Sequence, residues 1–185
     1  MWPGEADDVI ALVELACKQG ARTFVLNAPW QVTFFKAPKK LNLWAGPFCN
    51  LANALALETA KSLGLGGVIV SPELGREGYL ELARRRPLAL GIVLSGNWPL
   101  CVSRTKASTL KINEPFNSPR GEAAWLTRQG NDYWMYPNWK LDLTGHKKIL
   151  RQAGYSLFVH LNEPLPKKVK LKRRPGLWNW DLDLK

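Results

Sequence analysis

Two side chains of this sequence, a carboxylate that follows a predicted strand and a thiol, could do chemistry. Glu73 follows the apolar run 67–71 and Pro72. A carboxylate in that position can act as a general base if burial raises its pKa, but it also suits the first turn of a following helix. Cys101 could act as a nucleophile beside a base, or it could be an inert buried thiol. Glu73 and Cys101 are the candidate catalytic residues.

Amides and one further acid also follow predicted strands. In parallel α/β folds, ligands bind at the carboxyl ends of the strands. The predicted ligand face consists of Asn27, Asn50, Asn53, Asn97 and Asp142. Asn50 and Asn53 have an alternative role, which is to cap the helix that follows them.

Histidine is scarce in this chain. The two histidines, His146 and His160, show no recognisable spacing from a cysteine or serine partner, and neither Cys-x-x-Cys nor His-Glu-x-x-His occurs. A peptidase needs a metal, an activated nucleophile or a carboxylate pair. We therefore expect no metal site, and no robust cleavage of gelatin or casein by the isolated chain.

Positive charge is concentrated near the carboxyl-terminal end. The formal net charge is +11, and residues 167–185 hold seven Lys or Arg against two Asp. Basic residues mixed with tryptophans can bind RNA, so the candidate contacts are Arg104, Arg120, Arg128, Lys167, Lys168, Lys170, Lys172, Arg173 and Arg174. The alternative is an edge strand guarded by lysines or a solvated arm. Deleting 167–174 is expected to weaken binding to heparin or RNA more than it weakens folding.

These residues must be positioned by alternating short strands and helices. Periodicity predicts helices over 6–19, 51–63 and 144–153, a further helix ending before Pro87, and strands over 23–27, 41–45, 67–71, 88–94 and 155–159. This alternation indicates an α/β fold with mainly parallel strands. A complete eight-fold barrel takes about 250 residues, so this chain suffices for a partial TIM-barrel-like (β/α) domain.

Two segments depart from that alternation. Residues 96–132 lack periodicity and predict a long loop or an irregular insertion. The following segments 133–136 and 139–143 are predicted to be extended. The basic end predicts a division into a domain over 1–166 and a Trp-containing tail over 167–185.

Three motifs carry a family resemblance. GPFCNLAN at 46–53, VIVSPEL at 68–74 and PLCVS at 99–103 resemble, in order and spacing, the peptidase U32 family of collagenase-like proteases. The similarity continues to the tryptophans near 178–180 and corresponds to the C-terminal part of a longer member. The resemblance implies a TIM-barrel-like fold and peptidase activity. Several members resemble iron-sulfur hydroxylases.

Several family positions hold other residues here. Cys101 matches the first of four cluster cysteines, and the other three places hold Ser108, Ala123 and Thr127. A [4Fe-4S] cluster held by cysteines needs all four thiolates, so we expect no cofactor and a colourless, iron-free protein. The places of a signature Glu and His hold Gly91 and Ser95.

Three functions are therefore considered: a U32-type peptidase domain, a non-catalytic module that binds a ligand or RNA on the same fold, and a cofactor-dependent hydroxylase fragment. The missing cysteines disfavour the third. The partners that these observations allow are a peptide or small molecule, RNA at the basic tail, a second copy of the chain, or the N-terminal half of a larger protein. Three cysteines that cannot all pair, no visible secretory signal and no membrane-spanning stretch predict a cytoplasmic protein.

Overall fold

The computed structural model describes residues 5–119, 121–172 and Trp180. It divides the chain into two compact units, residues 1–92 with 148–158 and residues 93–147 with 159–185. Each unit is built around its own buried residues. The boundary predicted from the sequence at residue 167 stays a prediction.

Helices and parallel strands alternate over 6–96 and 147–160, most of which belongs to the first unit, as the periodicity predicts. The helices are α1 (Ala6–Lys18), α2 (Ala54–Ser62), α3 (Arg76–Arg84) and α4 (Lys147–Ala153), and the strands are β1 (Thr23–Leu26), β2 (Asn42–Ala45), β3 (Gly67–Ile69), β4 (Ala89–Gly96) and β10 (Tyr155–His160). Strands β1 to β4 pair in parallel in that order, and β10 lies beside β4. The mixed α/β class with a mostly parallel sheet is confirmed.

The apolar runs of the central strands explain this sheet. Every residue of β3 is buried, and β4 is buried from Leu90 to Leu94. Strands buried on both faces occur where helices cover a parallel sheet. Helices α2, α3 and α4 contribute Leu57, Tyr79 and Leu150, each no more than 1% exposed, to the core of the first unit.

The second unit contains an antiparallel sheet, of which the sequence predicted only one extended segment, 133–136. Strands β5 (Cys101–Ser103), β6 (Pro115–Asn117), β7 (Ala123–Gln129) and β8 (Asp132–Pro137) pair in the order β5-β8-β7-β6. The interpretation of 96–132 as a long loop is therefore wrong. The rings of Trp125 and Tyr136 face each other across β7 and β8, stacked with centroids 4.5 Å apart.

Two further details of the second unit correct the sequence analysis. Only Leu141–Asp142 forms β9, which pairs antiparallel with the end of β4. Residues 167–172 form no strand, and Val169 is 4% exposed in a cluster with Trp125 and Tyr136. Apolar burial, rather than strand pairing, fixes this described part of the basic segment.

None of the four helices in the described ranges has both the length and the apolar character that crossing a membrane requires.

Candidate active site

The carboxyl end of β4 positions the first residue of the site. Ser95 pairs with Asp142 in the β4–β9 register, and its carbonyl accepts a hydrogen bond from the Leu161 amide at 2.8 Å. Leu94, immediately before it, is fully buried. Backbone pairing and a buried neighbour therefore hold Ser95 in place while its own side chain is partly exposed.

Ser95 forms a hydrogen bond with a histidine. Its Oγ lies 2.7 Å from Nδ1 of His160, the last residue of β10. When the imidazole carries its proton on Nε2, the serine hydroxyl donates to Nδ1. In that tautomer the histidine is placed to accept the hydroxyl proton, which is the relation that activates a serine nucleophile.

Asp142 adds a negative charge beside this pair. Its Oδ1 accepts hydrogen bonds from the Thr144 hydroxyl at 2.6 Å and the Thr144 amide at 3.0 Å. These two bonds hold the pKa of the Asp142 carboxyl below its usual value, and the charge of His160 lowers it further. The carboxylate therefore stays ionised where it can stabilise a protonated His160. We call Ser95, Asp142 and His160 the Ser95 cluster.

Asn97 lies two residues beyond Ser95 and is 2% exposed. Within the described part of the chain, its Oδ1 has no hydrogen-bond partner. An unsatisfied buried acceptor costs about 1–3 kcal/mol, so natural structures rarely keep one. A ligand that presents an N–H group would satisfy this oxygen.

The other predicted ligand-face residues lie in the first unit. Asn53 caps α2, because its Oδ1 accepts from the Ala56 amide at 2.9 Å. Asn50 adopts a left-handed conformation with φ of 51°, and its Oδ1 accepts from the Ser71 hydroxyl at 2.5 Å. Asn27 is exposed, and its Oδ1 lies against Gly46. Capping is thus confirmed for Asn53, whereas Asn50 caps no α-helix and instead joins the ends of two strands.

Glu73 does not occupy the first turn of a helix. Helix α3 begins three residues later, at Arg76, and the acid of its first turn is Glu77. The Glu73 side chain is exposed, while its amide donates to the Ser71 hydroxyl at 3.2 Å. The helix-dipole interpretation of Glu73 is wrong, and its catalytic role stays a prediction.

Cys101 begins β5, opposite Met135, and is exposed. No hydrogen bond joins it to either histidine within the described residues. The interpretation of Cys101 as a buried thiol is wrong. His146 stacks on Trp180, with ring centroids 4.3 Å apart. That contact gives His146 a packing role.

The candidate RNA contacts differ in how they are engaged. Arg104 pairs with Asp132 at 3.1 Å, and Lys168 pairs with Glu114 at 2.5 Å. Arg128 donates to the Gly130 carbonyl at 3.1 Å. Lys167, Lys170 and Lys172 are exposed, whereas Arg120, Arg173 and Arg174 lie outside the described residues.

Neutralising the three exposed lysines should separate charge from packing in the basic segment. We expect the combined change of Lys167, Lys170 and Lys172 to Gln to weaken heparin binding about tenfold at low salt. The reason is that each lysine can contact a sulfate group of heparin, as it would a phosphate of RNA. The melting temperature should stay unchanged, since Val169 remains buried. Deleting the whole segment, by contrast, should destabilise the second unit.

The control is the same loss of charge elsewhere, with exposed Lys39, Lys61 and Lys148 changed to Gln. Equal weakening in both triple variants would show that net charge, and not this segment, determines heparin binding. Heparin affinity columns run at several salt concentrations measure both.

No group of three or more His, Cys, Asp or Glu side chains in the described ranges is arranged to hold a metal ion. The matched cluster places, Ser108, Ala123 and Thr127, supply no thiolate. The donor set therefore does not fit a cysteine-held iron-sulfur cluster.

The Ser95–His160 pair, whose members are 65 residues apart, is not among the sites predicted from the sequence. A signal was available, because each residue directly follows an apolar run read as a parallel strand. The carboxyl ends of neighbouring parallel strands meet at one edge of a sheet. A contact between a serine and a histidine at two such ends could therefore have been predicted.

Comparison of this chain with family models, with curated proteins and with solved structures finds no match.

Proposed function

We propose that this chain is a peptidase-type hydrolase domain on a partial U32-like (β/α) barrel, with Ser95 as its nucleophile. The observation that carries the proposal is the 2.7 Å hydrogen bond between Ser95 Oγ and His160 Nδ1. The expectation of no robust cleavage depended on the absence of such a pair. The resemblance of residues 46–53 and 68–74 to U32 peptidases supports a peptide as the substrate.

Each member of the Ser95 cluster has one role in this reaction. His160 Nδ1 takes the hydroxyl proton while Ser95 Oγ bonds to the peptide carbonyl carbon. Asp142, ionised by its hydrogen bonds from Thr144, stabilises the resulting imidazolium. His160 then gives the proton to the leaving nitrogen as the C–N bond breaks, and a water activated by the same histidine releases the acyl group from Ser95.

The test is hydrolysis of casein and of a mixed fluorogenic peptide library. Ser95→Ala and His160→Gln should each lower kcat/KM by about a thousandfold or more, because either change removes the proton-transfer pair. A fluorophosphonate probe should label Ser95 in the wild-type protein, mapped by mass spectrometry. Ser108→Ala, an exposed serine, is the matched control.

The competing residues give the contrary outcomes. If Glu73→Gln or Cys101→Ala abolishes cleavage while Ser95→Ala retains it, the nucleophile is assigned wrongly. If the wild-type protein neither cleaves any substrate nor reacts with the probe, the hydrolase proposal fails.

A second candidate is a non-catalytic peptide-binding module, favoured by the buried Oδ1 of Asn97. A substrate N–H would complete its hydrogen bonding. Binding of library peptides by an unreactive protein, lost in Asn97→Leu, would support this candidate. We also propose a cytoplasmic location, since Cys17, Cys49 and Cys101 are all free thiols.

A further inference from the structure

A cleft in the first unit lies at the amino ends of β1 and β2. Arg22 directly precedes β1 and Leu41 directly precedes β2, and both line it together with residues of α1. Its volume is about 490 Å³. Cavities of roughly 300–1,000 Å³ hold small ligands. The cleft is therefore large enough to hold a small molecule, and it is larger than a void left by imperfect packing.

The floor of this cleft is apolar. Val13 of α1, Phe34, Phe35 and Leu41 line it. Phe35 is 7% exposed and packs edge-on against Phe24 with ring centroids 5.0 Å apart. The packing of Phe35 against Phe24 gives the cleft an aromatic wall that suits an aromatic or aliphatic body.

Cations make up much of the rest of the lining. Lys18, Arg22, Lys36 and Lys40 line the cleft, and Glu14 is the only acid among the lining residues, so the lining carries three net positive charges. Lys36 Nζ pairs with Glu14 at 2.6 Å. Glu14 therefore neutralises Lys36, and Lys18, Arg22 and Lys40 remain.

The three remaining cations differ in their hydrogen bonds. Arg22 Nη1 donates to the Cys17 carbonyl at 3.0 Å and to the Ala21 carbonyl at 2.8 Å, which orients its guanidinium. Within residues 5–119 and 121–172, Lys18 and Lys40 form neither a hydrogen bond nor an ion pair. Lys18 also lies close enough to Glu14 to lower the pKa of that carboxyl. An oriented guanidinium together with two ammonium groups is a donor set that suits phosphate.

We propose that this cleft binds a phosphate monoester with a small apolar body. The apolar body lies on Phe35 and Leu41, and the phosphate meets Arg22, Lys18 and Lys40. Three unneutralised cations match a dianionic phosphate better than a carboxylate, which carries one charge. The cleft residues belong to the first unit, whereas Ser95, Asp142 and His160 belong to the second, so the two proposals rest on different residues.

The probe is 1-naphthyl phosphate, titrated by isothermal calorimetry into the full chain. We expect binding of 1-naphthyl phosphate at least tenfold tighter than of 1-naphthol, which lacks the anion, or of inorganic phosphate, which lacks the body. Equal affinity for the phosphate ester and 1-naphthol would show a merely apolar cleft, and equal affinity for inorganic phosphate would show a merely cationic one. Either result overturns the proposal.

Matched lysine variants localise the phosphate. Lys40→Gln should weaken binding of 1-naphthyl phosphate about five- to tenfold, because it removes one charge-assisted contact. Lys39→Gln removes an equal charge from an exposed neighbour outside the lining and should leave the affinity unchanged. Equal weakening by both variants would overturn the proposed site.

Cysteine alkylation gives a second readout that needs no variant. Cys17 lines the cleft, whereas Cys101 is an exposed thiol of the second unit. Saturating 1-naphthyl phosphate should slow iodoacetamide labelling of Cys17 and leave labelling of Cys101 unchanged, as followed by mass spectrometry. Unchanged labelling of Cys17 at saturation would place the ligand elsewhere and overturn the assignment.

Discussion

Replacing Gly96 with alanine is expected to lower the free energy of unfolding of the second unit by about 3 kcal/mol or more. The backbone at Gly96 has φ of 129°, which side chains rarely adopt. A Cβ built there would overlap the Leu161 carbonyl oxygen and lie 2.6 Å from the Leu161 Cβ. Both the backbone and the neighbouring residue would have to move.

The Gly96→Ala change should disturb the neighbourhood of Ser95 as well as lower the free energy of unfolding. The Leu161 amide donates to the Ser95 carbonyl, so displacement of Leu161 should speed hydrogen exchange at that amide. Urea unfolding followed by tryptophan fluorescence measures the loss of stability. A wild-type exchange rate at Leu161 in a folded Gly96→Ala protein would contradict the prediction.

Gly130→Ala is the control, in the turn between β7 and β8. Gly130 has φ of 58°, and a Cβ there would meet no atom within 4 Å. Its change to alanine should therefore cost only the backbone term, about 1–2 kcal/mol. An equal loss of stability in both variants would show that the contact with Leu161 has no effect.

Alkaline solution is expected to unfold the first unit through two buried tyrosines. The Tyr79 hydroxyl donates to the Ser71 carbonyl at 3.2 Å, and the Tyr155 hydroxyl donates to the Tyr79 carbonyl at 2.9 Å. Both residues are 1% exposed. Burial raises the pKa of both phenols well above the usual value, and for Tyr79 the neighbouring Tyr155 raises it further.

Stability falls with rising pH because each phenol keeps its proton in the folded unit and loses it in the unfolded chain. Above about pH 10 the tyrosines of the unfolded chain ionise, while those of the folded unit stay protonated. The stabilising contribution is therefore complete below pH 10 and is lost as the pH rises. Each tyrosine should lower the free energy of unfolding by about 1.4 kcal/mol per pH unit above pH 10, so the two together halve a marginal stability within about one unit.

Tyr155→Phe tests this directly. The variant should lose about 1 kcal/mol near neutral pH, where it lacks one hydrogen bond, but its stability should fall less steeply above pH 10. Urea unfolding at several pH values gives the slope, and the ultraviolet absorbance of tyrosinate reports ionisation. An unchanged slope in Tyr155→Phe would show that other groups cause the alkaline loss.

The sequence by itself determined the alternating part of the fold. Helix α1 and strands β1 to β4 begin and end within two residues of their predicted bounds. Their signals are local: apolar residues at helical spacing, or short apolar runs closed by turn residues. The capping alternative for Asn53 was also correct, because a cap depends only on the next three residues.

Tertiary structure alone decided the antiparallel sheet and both sites. Strands β5 to β7 are fixed by cross-strand pairs such as that of Trp125 with Tyr136, and 96–132 carries no alternation that predicts them. Strand β8 was predicted as an extended segment, but its strand partners were not. The Ser95–His160 hydrogen bond requires two strand ends, 65 residues apart, to be neighbours in one sheet. The cationic cleft likewise combines α1 with residues preceding β1 and β2. Such juxtapositions depend on strand order, which periodicity along the chain does not encode.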